Sequence, residues 1–264
     1  MENKTFDHSG LTFNYYQTGS GSRDVFLQHG YSDNALCWGN LPADLGKDYR
    51  VTLMDARGHG LSAKPKDGYD LDHMAGDVIA LFDHLGMQKP FYVGHSMGGS
   101  IGARVAALAP DRLRAAVLID PVFLTTAKEE REGLVAKRRN EVRDLQKKSK
   151  EEIAAHIRNK HPDWPEEFIC PAADAKLQMS LDMIAINRTV IDTWAQDLEN
   201  STCPILVITA DVERGAIVSR EVAAEIDKKH SHVSTAHIPE AGHSIQREKY
   251  AQTLAAIRGF FSNH

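Results

Sequence analysis

The stretch GHSMGGS sets Ser96 between Gly94 and Gly98, directly after the apolar run Phe91–Val93. A G-x-S-x-G sequence that leaves a strand and enters a helix has the composition of a nucleophile elbow. The turn is sharp, so a side chain at either glycine would clash, and the serine hydroxyl is lifted above the strand ends. The N–H groups that follow fall at a helix N-terminus, where negative charge is favoured. A serine hydroxyl is a poor nucleophile until a base takes its proton. Thirteen histidines compete for that role. His29, His59, His95, His230, His232 and His237 stand in or beside strand ends and turns, whereas His243 lies in PEAGHSI, a loop between the last strand and the last helix. The H-x-H at 230–232 has two ligands and no third at a suitable spacing, so no metal is expected.

A basic imidazole needs a carboxylate to fix its tautomer and stabilise the imidazolium. The stretch ITADVERGAIV offers Asp211 and Glu213 just beyond a buried strand, and VLIDP offers Asp120 at the end of the strand after the elbow. The segment FLQHGYSDNALCW is a strand ending in His-Gly, then a loop. It places the N–H of Tyr31 to face the elbow, with the N–H of Met97 as the second donor of an oxyanion hole.

These residues need a frame. Val25–Gln28, Val51–Met54, Phe91–Val93, Ala115–Ile119 and Ile205–Thr209 are short apolar runs, each fitting a strand buried on both faces. Helical patterns lie between them: 71–85, 97–109 and 248–261 carry apolar residues at i, i+3, i+4 spacing or are small throughout. Alternating elements of this kind predict a mostly parallel sheet with helices on both faces, and LTFNYYQTG suits an antiparallel edge hairpin. The alternation breaks between Val122 and about Asn200. Residues 128–161 mix acids and bases around a narrow stripe of Val135, Val142, Leu145, Ile153 and Ile157, which reads as a solvated helix. Residues 164–194 are rich in large apolar groups, including Trp164, Phe168, Met179, Met183, Ile184, Ile186 and Trp194. The expected organisation is a core of 1–121 and 201–264 with a helical cap of 122–200. Trp38, Trp164, Trp194 and the Met179/Met183 pair are candidates to line an apolar pocket, and plain packing is the expectation for at least half of them.

Composition narrows the function classes. The chain has 264 residues, 42% of them hydrophobic, with a net charge of −5. That balance favours neither nucleic acid nor an anionic membrane surface. Cys37, Cys170 and Cys203 are an odd count without C-x-x-C spacing, which suits a reducing compartment. With no apolar leader and no spanning-length run visible, the expectation is a cytoplasmic protein, monomeric or homodimeric.

Four segments in order, QHGY at 28–31, MDARGHGLS at 54–62, GHSMGG at 94–99 and AGH at 241–243, resemble the α/β-hydrolase family. The resemblance implies an α/β fold with an eight-stranded sheet, a Ser-His-acid triad, an active site between sheet and cap, and no cofactor. It makes Ser96 the nucleophile, His243 the base, and the Tyr31 and Met97 amides the oxyanion donors. Asp55, Arg57 and His59 fall in a turn that is structural in the family. The family usually places the acid in the loop after the strand equivalent to 204–210, and a minority draws it from the strand end after the elbow. Asp211 is therefore placed first, Asp120 second and Glu213 third. Counted from Ala210 that pattern points to Glu213, but Ile217-Val218 comes later than it expects, so the loop is lengthened and Asp211 is carried into position instead. The expected activity is hydrolysis of a small ester or lactone. A carbon–carbon bond hydrolase of dienoic ketones with the same triad, and a ligand receptor with a slow hydrolase site, are the alternatives.

Overall fold

The computed structural model describes residues 1–123, 137, 139–183 and 193–264. Among them, one sheet holds eight strands: β1 (Glu2–His8), β2 (Leu11–Thr18), β3 (Asp24–Gln28), β4 (Arg50–Met54), β5 (Phe91–His95), β6 (Ala115–Ile119), β7 (Ile205–Thr209) and β8 (Val233–His237). Their spatial order is β1-β2-β4-β3-β5-β6-β7-β8. The first two strands form the expected hairpin, paired Phe6 to Phe13, and β2 joins β4 antiparallel. All later pairings are parallel. The central strands β5, β6 and β7 are buried at every position, which explains their unbroken apolar sequences.

Helices cover both faces because each carries one apolar stripe. On one face α2 (Leu71–Leu85), α3 (Met97–Leu108) and α8 (Arg220–Lys229) pack with Leu81, Ile101 and Ile226 in a single core. On the other, α1 (Leu41–Leu45) and α10 (Tyr250–Ser262) bring Leu45, Ile257 and Phe261 against Val93 and Ile119. The region between β6 and β7 contributes α4 (139–145), α5 (Lys150–Lys160), α6 (Glu166–Gln178) and α7 (Trp194–Asn200). The charged stretch is thus not continuous helix: α5 starts afresh at Ser149, whose hydroxyl accepts from the Glu152 N–H while Glu152 accepts from the Ser149 N–H. That reciprocal cap closes the new helix start. Ile153, Ile157, Ile169 and Ala173 join α5 and α6 in a small core of their own. Val135, Ile184 and Ile186 lie outside the described residues. No helix among the described residues is long and apolar enough to cross a membrane.

Candidate active site

The elbow forms where β5 runs into α3. Ser96 sits at φ 54°, ψ −116°, a left-handed conformation held by its surroundings. A Cβ at Gly94 would lie 2.2 Å from the Gly98 carbonyl oxygen, and one at Gly98 would lie 2.1 Å from that of Gln28. Both glycines are therefore required by close backbone approach. The Ser96 N–H donates to the Ile119 carbonyl at 2.9 Å, fixing the turn onto the end of β6. Met97 is the first residue of α3, so its N–H has no acceptor within the helix.

The Ser96 hydroxyl lies 2.9 Å from His243 Nε2, and His243 Nδ1 lies 2.6 Å from Asp120 Oδ2. With Nδ1–H donating to the carboxylate, Nε2 is left as the acceptor for the serine proton. The structure thus pairs His243 with Asp120 and not with Asp211. Asp120 stands one residue beyond β6 at φ 41° and is fully buried. A buried carboxylate is costly unless hydrogen-bonded. The N–H groups of Ile217 and Val218 both donate to it at about 3.0 Å. The loop that the sequence expectation gave the task of carrying the acid folds back and donates two amides to the acid of the neighbouring strand. The lengthening before Ile217-Val218, expected to carry Asp211 into position, instead supplies these two amides to Asp120.

Asp211 is engaged elsewhere. Its carboxylate accepts from the Glu240 N–H at 2.8 Å and meets His237 Nε2 at 3.0 Å, and its N–H donates to the Ala241 carbonyl at 3.0 Å. It holds the turn that leads to His243. Two more side chains hold the same turn: Glu248 accepts from the Gly242 N–H at 2.7 Å, and His95 Nε2 reaches the His243 carbonyl at 2.9 Å. Glu213 is exposed on the single turn Val212–Arg214.

The His29–Tyr31 turn passes against the elbow: a Cβ at Gly30 would lie 3.3 Å from Ser96 Cβ. Two buried histidines support that turn. His29 Nδ1 donates to the Gly30 carbonyl at 2.8 Å and Nε2 accepts from the Ala56 N–H at 3.1 Å. His59 Nε2 contacts the Tyr31 carbonyl at 2.5 Å. Burial pushes each of the two down to about 4. Asp55 accepts from the Ala35 and Leu61 N–H groups, and Arg57 forms a buried pair with Asp77 at 2.6 Å, so this turn is scaffold. The sign of the linkage is set by the histidines: below about pH 6.5 the unfolded chain binds protons that the folded chain refuses until about pH 4. Tm should therefore fall as pH drops through that window, measurable by calorimetry, and a flat Tm there would rule out neutral burial of the two rings.

The described residues line a cavity of about 510 Å³ beside Ser96 and His243, bounded by the turn at 30–33, by α5 and α6, and by Arg214 and Arg247. Trp164 lines it. Trp38, Met179, Met183 and Trp194 pack in the two main cores instead. His232 meets the Ser201 hydroxyl and the Leu198 carbonyl. Among the described residues no group of three or more His, Cys, Asp or Glu side chains could hold a metal ion.

A family model described as the alpha/beta hydrolase fold matches residues 25–250. The chain belongs to the α/β-hydrolase family. Among relatives of this hydrolase, 2-(acetamidomethylene)succinate hydrolase of Mesorhizobium japonicum is 26% identical over 96% of this chain and 93% of its own length. Among solved structures, E-2-(acetamidomethylene)succinate hydrolase superposes with a TM-score of 0.83 at 24% identity, covering 99% of each chain. The enol-lactonase of Burkholderia xenovorans LB400 gives 0.79 at 20% identity, covering 98% of this chain and all of that one. At such identities the structural likeness establishes the fold.

Proposed function

We propose that this protein is a serine hydrolase that cleaves a small carboxylic ester or lactone through an acyl-enzyme on Ser96. The observation that carries the reading is the continuous relay from the Ser96 hydroxyl through His243 to Asp120, at 2.9 and 2.6 Å. His243 takes the serine proton as the oxygen attacks the carbonyl carbon, and Asp120 stabilises the imidazolium that forms. The Tyr31 and Met97 N–H groups receive the oxyanion of the tetrahedral intermediate, each worth about 3 kcal/mol in that state. The leaving alkoxide takes the proton from His243. A water, deprotonated by His243, then releases the acid. The cap expected over 122–200 lies partly outside the described residues; within it, α5 and α6 close the cavity over the serine.

One observation favours a second reading, that the scissile bond is not an ester. A relative matched along almost the whole chain is named for 2-(acetamidomethylene)succinate, a compound with an amide and no ester. The same relay would then cleave an activated carbon–nitrogen or carbon–carbon bond. A fluorophosphonate probe tests the common part: stoichiometric labelling at Ser96, located by peptide mass spectrometry, is expected. A panel of short p-nitrophenyl esters tests the finer part. Labelling without ester turnover moves the assignment to the second reading, and absence of labelling overturns both.

A further inference from the structure

The cavity beside Ser96 has one corner built from charge. Asp33 follows the oxyanion loop, Arg247 lies within the short helix α9 (Ile245–Glu248) just after His243, and Lys176 comes from α6; all three line the cavity. Asp33 and Arg247 are 6% and 4% exposed. Arg247 Nη2 donates to Asp33 Oδ2 at 2.6 Å and contacts the Cys37 carbonyl at 3.4 Å. Its guanidinium lies 4.4 Å from the centre of the Trp164 ring, itself part of the cavity wall. Lys176 Nζ is anchored on Ser32, at 2.5 Å from the carbonyl and 2.7 Å from the hydroxyl. Burial alone would raise Asp33, but Arg247 and Lys176 outweigh it and hold its carboxyl well below the usual range.

A guanidinium offers five N–H donors. Nε of Arg247 is closed off from the cavity, and Nη1, which makes no hydrogen bond among the described residues, is the donor left for a group in the cavity. Buried donors of a charged group are normally met. The remaining ionic groups of the wall are distributed differently. Glu248 is engaged with the Gly242 N–H, and Glu141, Lys160 and Arg214 are exposed at the surface. The corner therefore combines the buried Asp33 carboxylate, the buried Arg247 guanidinium and the half-buried Lys176 ammonium, all in the wall of the cavity that holds the nucleophile.

We propose that this corner is a subsite for a carboxylate carried by the substrate, with Arg247 and Lys176 as its ligands. This rests on the acyl-transfer reading of Ser96 and names its substrate class: a short acyl compound with a free carboxylate beside the scissile carbonyl, such as the half-ester of a small dicarboxylic acid. A cavity of about 510 Å³ suits a ligand of that size. A cation in a water-poor wall also discriminates against a neutral group of the same shape, because the neutral group leaves its donors unmet.

The test compares monomethyl glutarate with methyl hexanoate by pH-stat, together with calorimetric titration of glutarate and of the neutral glutaramide. The unmodified enzyme should favour the half-ester by at least about tenfold in kcat/KM, through KM, in line with one buried charged hydrogen bond. Glutarate should bind and glutaramide should not. Lys176→Met and Arg247→Met should each reduce the half-ester preference, and Lys176→Arg should restore part of it relative to Lys176→Met. Equal kcat/KM for the two esters, or equal binding of the two ligands, overturns the subsite while leaving the serine hydrolase intact. If neither ester turns over and Ser96 resists the fluorophosphonate, the hydrolase reading has failed, and glutarate titration still decides the subsite.

Discussion

Replacing Ser96 with alanine should lower kcat on any accepted ester by about 10⁶, the loss typical of a triad nucleophile, with the fold intact. The hydroxyl meets only His243 among the described residues, so little stability goes with it. The backbone makes a sharper expectation available. Ser96 is held at φ 54°, ψ −116°, a conformation that costs a non-glycine residue about 1–3 kcal/mol. Ser96→Gly should therefore be as inactive as Ser96→Ala yet melt higher, since relief of strain exceeds the entropy glycine adds to the unfolded chain, about 0.5–1 kcal/mol. Steady-state rates and calorimetric Tm values of the two variants check both halves. Retention of more than a few per cent of kcat in either would remove Ser96 from the mechanism. A Tm for Ser96→Gly below that of Ser96→Ala would mean that the elbow is not strained.

The parts legible in sequence were those specified locally. The five apolar runs became β3, β4, β5, β6 and β7 because a strand buried on both faces needs apolar residues throughout, and every position of β5, β6 and β7 is buried. The elbow was legible because its two glycines answer to backbone contacts within a few residues or on the adjoining strand. His243 was legible from its loop between the last strand and the last helix. Legibility failed where the answer depends on how a loop travels. Asp120 and Asp211 both step off parallel strand ends, and only the path of 211–218, which brings the Ile217 and Val218 amides to Asp120, decides between them. The charged corner was invisible for a related reason: Asp33 and Arg247 are 214 residues apart in the chain, and each alone reads as an ordinary surface residue. The break at Ser149, in contrast, could have been read, since Ser149 and Glu152 carry the S-x-x-E spacing of a reciprocal cap.

The largest difference between neighbouring carboxylates should appear between Asp120→Asn and Asp211→Asn. Asp120 Oδ2 receives the His243 Nδ1–H at 2.6 Å, and the same carboxylate accepts from Ile217 and Val218. An asparagine there offers one acceptor oxygen and an NH₂ group. Every partner around it is a donor, so the amide must turn its NH₂ toward one of them. If the NH₂ faces His243, the imidazole is driven into the other tautomer, with the proton on Nε2, where it cannot accept from Ser96. The loss of kcat should be about 10⁴, as for triads in general, with some loss of stability from the strained amide contacts. Asp211→Asn should behave otherwise. Its carboxylate touches the Glu240 N–H and the His237 ring, so an asparagine oxygen can keep the backbone contact, and kcat should fall by less than about tenfold through loosening of the turn before His243. Glu213→Gln, at an exposed position, should leave both kcat and Tm near those of the unmodified protein. Circular dichroism establishes folding of each variant before rates are compared. Collapse of Asp211→Asn beside a nearly normal Asp120→Asn would return the acid to the β7 loop and overturn the role assigned to the end of β6.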